Sequence, residues 1–160
     1  IISDSINPRM LPVLVFLVCA LISFATGTSW GTMAIMMPIV IPLAHSASTL
    51  NGYDIADQTI ILHGVISSVL AGSVFGDHCS PISDTTILSS MASDCDHIDH
   101  VRTQLPYALV VGVLAMLIGD IPTAYGFSPY ISILIMIAAL IGILYLFGKR
   151  VDSEISFVKK

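Results

Sequence analysis

The sequence predicts an all-α, polytopic membrane protein, and three observations carry that prediction. Of the 160 residues, 55% are hydrophobic and 11% charged, with a mean hydropathy of +0.90, well outside the soluble globular range. The Lys and Arg residues are confined to Arg9, Arg102, Lys149, Arg150, Lys159 and Lys160. No Asp, Glu, Lys or Arg therefore lies between Arg9 and Asp54 or between Asp120 and Lys149, and each interval exceeds the ~20 apolar residues that span a bilayer. Two polar interruptions then fall inside apolar runs, which adds a re-entrant helical hairpin and a discontinuous transmembrane helix to the fold. The lipid bilayer is the first partner this composition implies. A net charge of −5 with no basic stripe excludes nucleic acid.

The first apolar stretch, 10–44, is about 35 residues, or ~52 Å as one helix against a hydrocarbon core of ~30 Å. That is too long for one straight span and too short for two spans and a loop. Its middle, Ala25-Thr26-Gly27-Thr28-Ser29-Trp30-Gly31-Thr32, is small, polar and Gly-rich. A re-entrant hairpin fits best, because irregular backbone at membrane depth survives only where it is buried in protein or lines a cavity; a Gly-kinked helix is the alternative. Residues 45–58 read as a polar loop. The next run, 59–93, breaks at Gly76-Asp77-His78-Cys79-Ser80-Pro81-Ile82-Ser83-Asp84, where Pro81 forbids a continuous helical ladder. Two half-helices joined by an extended segment result. A hydrophilic loop, 94–102, precedes transmembrane helices at 103–121 and 128–148, and 149–160 forms a tail. Arg102 and the four tail cations share one face, so the positive-inside rule makes the C-terminus cytoplasmic. The localisation expected is the cell (inner) membrane.

The chemistry sits at the two breaks. An Asp at the centre of a transmembrane helix costs roughly 2.5 to 3.5 kcal/mol, so acids kept at depth pair, titrate or bind cations. Asp77 ends one half-helix, where the negative end of the dipole favours holding Na+ or H+, and is the expected Na+ ligand; Asp84 opens the next, where the positive end favours the ionised form. Ser83-Asp84-Thr85-Thr86 is also an N-cap signature, which accounts for Asp84 without a ligand. Ser80, Ser83, Thr85 and Thr86 offer hydroxyl oxygens to a hard cation, and Thr26, Thr28, Ser29 and Thr32 do so at the first break, where Thr28 or Ser29 serves equally as a cap. His63 reads as an intramembrane imidazole bonded to neighbouring backbone, with proton relay as the alternative. Asp94-Cys95-Asp96-His97-Ile98-Asp99-His100 has no recognised metal spacing and reads as a solvated face. Trp30 either closes over a bound ion or packs, and Met33, Met36 and Met37 fill the core. Cys19, Cys79 and Cys95 imply no disulfide framework.

Two segments, ATGTSWGTMAIMMPIVIPLA at 25–44 and AGSVFGDHCSPISDTTILSSMASDCDHIDHVRTQLPYAL at 71–109, resemble the C-terminal half of NhaC-type Na+/H+ antiporters, within the ion transporter superfamily. The resemblance implies that the hairpin tip and the helix break meet at a midplane cation site. It carries site roles onto Thr26, Gly27, Thr28, Ser29, Gly31, Asp77, Ser80, Ser83 and Asp84. It also implies two inverted repeats, each with a hairpin and a broken helix, and one such set is present in this sequence. A missing N-terminal half, or a second chain in a homodimer, is then an expected partner, and the start at Ile1 fits a fragment.

The function expected is therefore secondary exchange of Na+ for H+, both as transported ions and with no cofactor. Some members of the family exchange Na+ or H+ with small carboxylates, which is the alternative; no Arg or Lys lies at membrane depth to clamp such a solute. A metalloenzyme using Asp77, His78, Cys79 or His63 is disfavoured, because adjacent positions diverge on regular backbone and no H-E-x-x-H helix is present.

Overall fold

Residues 7–148 are described in the computed structural model, and every regular element among them is helical. Five helices are long and apolar enough to cross a membrane: Pro8–Thr26, Ser29–Leu50, Ile55–Cys79, His97–Ala124 and Pro129–Phe147. The predicted cytoplasmic tail, 149–160, lies outside the described residues.

After a 3-10 turn at Pro8–Met10, α1 covers Leu11–Thr26 and α2 Ser29–Leu50. Gly27 ends α1 in the left-handed region at φ +67°, where a Cβ would be strained, and its N–H bonds the Ser23 carbonyl at 2.8 Å. Thr28 then caps α2, its hydroxyl accepting from the Gly31 N–H at 3.2 Å. The chain reverses over these residues. At the far end the Arg9 guanidinium donates to Asp57 at 2.8 Å and the Tyr53 hydroxyl to Asn7 at 3.2 Å, so α1 begins beside the loop that follows α2.

Helix α3, Ile55–Cys79, runs parallel to α1 and antiparallel to α2. One core joins all three, with Leu11, Val15 and Cys19 facing Met36, Val40, Ala44 and Ala47 and the fully buried Val65 and Val69. Glycines bring α1 and α3 close: a Cβ on Gly72 would strike the Phe16 carbonyl, and one on Gly76 the Ala20 carbonyl. The buried Ser23 hydroxyl uses that proximity to donate to the Ser73 carbonyl at 2.6 Å.

The chain continues through α4, Asp84–Ala92, and α5, His97–Leu114. A π-helical turn, Ala115–Asp120, leads into α6, Ile121–Ala124, and α7 covers Pro129–Phe147. Few side chains of α5 and α7 are buried; Leu134, Ile141 and Leu144 face outward.

Several boundaries differ from expectation. Helix α5 begins at His97, where the Asp96 carboxylate caps it by accepting from the Ile98 and Asp99 N–H groups, so most of the expected 94–102 loop is helical and the span expected at 103–121 covers His97–Ala124. Helix α2 runs to Leu50 and absorbs the first part of the supposed 45–58 loop, because Ser48 and Thr49 turn their hydroxyls back onto the Ala44 and His45 carbonyls, both at 2.8 Å. Both arms of the hairpin thereby reach spanning length, so the arithmetic that favoured a re-entrant segment no longer demands one. Helix α3 begins at Ile55 and extends to Cys79, past the Phe75 limit read from the sequence, leaving 80–83 as the break.

Candidate functional site

Asp77 lies in the last turn of α3, and Ser80 stops that helix by donating its N–H to the Asp77 carbonyl at 3.1 Å. The Asp77 side chain is only 6% exposed. Hydroxyl groups surround its carboxylate: Ser83 donates to Oδ1 at 2.8 Å, while Ser29 and Thr85 approach Oδ2 at 3.4 and 3.5 Å. Ser83 and Thr85 hydroxyls touch at 2.7 Å. No Lys, Arg or His side chain bonds this carboxylate among the described residues. A buried acid that hydroxyls solvate and no base neutralises leaves room for a positive charge. Each hydroxyl donates through hydrogen and keeps lone pairs for a hard cation.

The first break reaches this acid through two contacts. Ser29, the first residue of α2, supplies one hydroxyl, and Gly27 lies against Ile82, whose carbonyl a Cβ would meet at 3.0 Å. Hairpin tip and helix break are therefore in contact. Asp77 consequently faces the N-terminal turns of both α2 and α4 as well as the C-terminus of its own helix. The dipole contrast expected between Asp77 and Asp84 does not separate them; burial does, since Asp84 is exposed.

The other expected residues divide clearly. Ser80 is fully buried beside the cluster and accepts from the Ile82 N–H at 3.4 Å. Thr28 and Gly31 engage each other in the α2 cap, and Thr26 bonds the Ile22 carbonyl of its own helix at 2.8 Å. Asp84 is not the cap of α4: Ser83 is, accepting from the Thr85 N–H at 3.2 Å. Trp30 is 81% exposed and neither closes over Asp77 nor packs. Cys19, Cys79 and Cys95 are free.

Two residues act beyond what their sequence positions suggested. His97 opens α5 and ties the break in place, one ring nitrogen 3.1 Å from the Ser90 hydroxyl and the other 2.7 Å from the Pro81 carbonyl. Nothing in the spacing of 94–100 marks it, because the contact exists only once α5 folds back onto the break. His63 makes no hydrogen bond to neighbouring backbone among the described residues and lines a cavity instead.

Residues 1–120 match the Na+/H+ antiporter family. The chain belongs to that family. Among its relatives, an uncharacterised protein of Haemophilus influenzae is 43% identical over 150 residues, covering 94% of this chain and 27% of the relative. The malate-2H(+)/Na(+)-lactate antiporter of Bacillus subtilis is 31% identical, covering 72% of this chain and 23% of its own length. The Na(+)/H(+) antiporter NhaC of Alkalihalophilus pseudofirmus is 30% identical, covering 71% and 23%. No solved structure matches the chain. The chain thus spans about a quarter of the length of these relatives.

Family membership and five apolar helices indicate a multi-pass membrane protein, and membership points to a transporter rather than an enzyme. Among the described residues no three His, Cys, Asp or Glu side chains converge. His78 is exposed and turned toward the Val74 carbonyl at 3.2 Å.

Proposed function

We propose that this antiporter-family chain forms the cation-binding part of a secondary transporter that exchanges Na+ for H+ across the cytoplasmic membrane, with its C-terminus cytoplasmic. The observation that carries the reading is the buried Asp77 carboxylate, set among hydroxyls from α2, the break and α4 and without a basic partner. When Asp77 is ionised, its oxygens and the hydroxyls of Ser83, Ser29 and Thr85 replace the water of Na+. When it is protonated, the new O–H donates to one of those hydroxyls and the cation loses its counter-charge. Only one of the two ions is held at a time, which is the requirement for exchange. In this reading α4 belongs with α3 as the second half of one discontinuous helix, since its nine residues, ~13 Å of helix, are too short to cross alone. The rest of the transporter supplies the matching hairpin and broken helix.

A second reading, exchange of a small carboxylate coupled to Na+ or H+, is favoured by the similarity to the Bacillus antiporter. One experiment separates them. In everted vesicles containing the full-length transporter, addition of Na+ alone is expected to collapse an imposed ΔpH. Collapse that requires malate or lactate as well would select the second reading, and none under either condition would reject both.

A further inference from the structure

Another pair of ionisable groups lies away from the Asp77 cluster. A cavity of about 330 Å³ separates α3 from the chain around α6, walled by His63 and Ser67 on one side and by Asp120, Thr123 and Ser128 on the other. His63 and Asp120 both lie inside candidate membrane spans. Ionisable side chains at such positions are costly and are kept where they face a cavity and act there. Asp120 Oδ2 is buried with no hydrogen-bond partner. The nearby Thr123 hydroxyl is directed to the carbonyls of Gly119 and Asp120, at 2.7 and 3.2 Å, instead. Asp120 also ends the π-helical turn, in which the Ile121 N–H reaches back to the Met116 carbonyl, a distortion frequent at functional sites. Along α3, His63 is ~21 Å from Asp77 at 1.5 Å per residue, so the His63–Asp120 cavity and the Asp77 cluster lie at separate depths.

We propose that this cavity is a second proton-binding site, in which Asp120 carries the proton and His63 is its exchange partner. Transfer breaks the carboxyl O–H bond and forms an imidazole N–H bond, with no other bond or electron displaced. A proton suits the pair better than Na+, because the wall offers one carboxylate and an imidazole, a group that binds protons and loses affinity for a nearby cation once charged. His63 is the one ionisable group that α3 brings to the wall; α7 contributes Ser128 as its cap and Pro129, and neither titrates. α1 and α5 contribute no wall residue. The 3-10 turn packed against α6 presents Arg9, which is bound to Asp57 and lies 5.5 Å from the centre of the Tyr125 ring.

A hydrophobic carbodiimide, which modifies protonated carboxyls, tests the site in membranes containing the full-length transporter, with mass spectrometry locating the adduct. Asp120 is expected to be modified, the yield falling about tenfold per unit of pH above the midpoint, and Na+ is expected to leave that yield unchanged. Asp77 serves as the internal contrast, its modification suppressed by Na+ under the proposed function. Modified Asp120 with an Na+-insensitive Asp77 would defeat the transport reading and leave this site standing. Modification of Asp77 without Asp120, a pH-independent yield, or protection of Asp120 by Na+ would overturn the second site. In transport, Asp120→Asn is expected to shift the pH profile at unchanged membrane abundance and Asp120→Glu to restore it; a wild-type profile in Asp120→Asn would count equally against the site.

Discussion

At the scale of single residues, two aspartates seven positions apart have opposite surroundings. Asp77 is buried and accepts from three hydroxyls, whereas Asp84 is exposed in the first turn of α4 and leaves capping to Ser83. Asp84→Asn is therefore expected to leave exchange within about twofold of wild type, because a first-turn carboxylate contributes only about 0.3–1 kcal/mol to its helix. Loss of exchange in that variant would move Asp84 into the site. Ser83→Gly is a sharper probe: Gly still caps adequately, but the shortest hydroxyl contact to Asp77 is gone. Half-saturation for Na+ is expected to rise about fivefold to tenfold, in line with about 1–1.5 kcal/mol for one hydrogen-bonding group. An unchanged value in a Na+ titration of exchange would remove Ser83 from the ligand shell. Both breaks were legible from their Gly, Pro and hydroxyl residues. What sequence could not reveal was the choice among hydroxyls: Thr26 and Ser29 look alike in a string, yet the helix turn directs one to its own backbone and the other to Asp77.

At the scale of elements, the site depends on how closely α1 and α3 approach. Gly76→Ala places a methyl against the Ala20 carbonyl, and backbone there cannot yield as a flexible side chain would. Overpacking of this kind costs about 1–3 kcal/mol, so the purified full-length protein is expected to melt several degrees lower. Gly142→Ala, with nothing within 4 Å of the added Cβ, is expected to be neutral or slightly stabilising. Equal melting of both variants would show that the approach of α1 to α3 is not constrained there. The spacing Gly72-xxx-Gly76 carries this contact, two glycines one turn apart. Helix ends were less legible. Hydroxyls that look loop-like in sequence satisfy carbonyls inside α2, and the polar character of 45–50 therefore marks no loop. The π-helical turn that ends at Asp120 has no signal in the sequence pattern.

At the scale of the whole molecule, Arg9, Tyr53, Asp57 and Tyr125 gather at one end of the α1–α3 unit, and the hairpin tip and helix break at the other. The proposed orientation rests on the excess of cations at Arg102 and in the tail. A cysteine at Asn51 is expected to react with an impermeant thiol reagent in intact cells, and one at Ser153 only after permeabilisation; the reverse pattern would invert the topology. The overall class was readable because uncharged intervals of this length have few uses outside a bilayer. The most direct measurement is Na+-dependent collapse of ΔpH in everted vesicles bearing full-length Asp77→Asn transporter. Asn nearly keeps the shape of Asp but can neither release a proton nor balance a cation's charge, so exchange is expected to vanish at every pH with membrane abundance intact. Near-normal exchange with a wild-type pH profile would contradict the account.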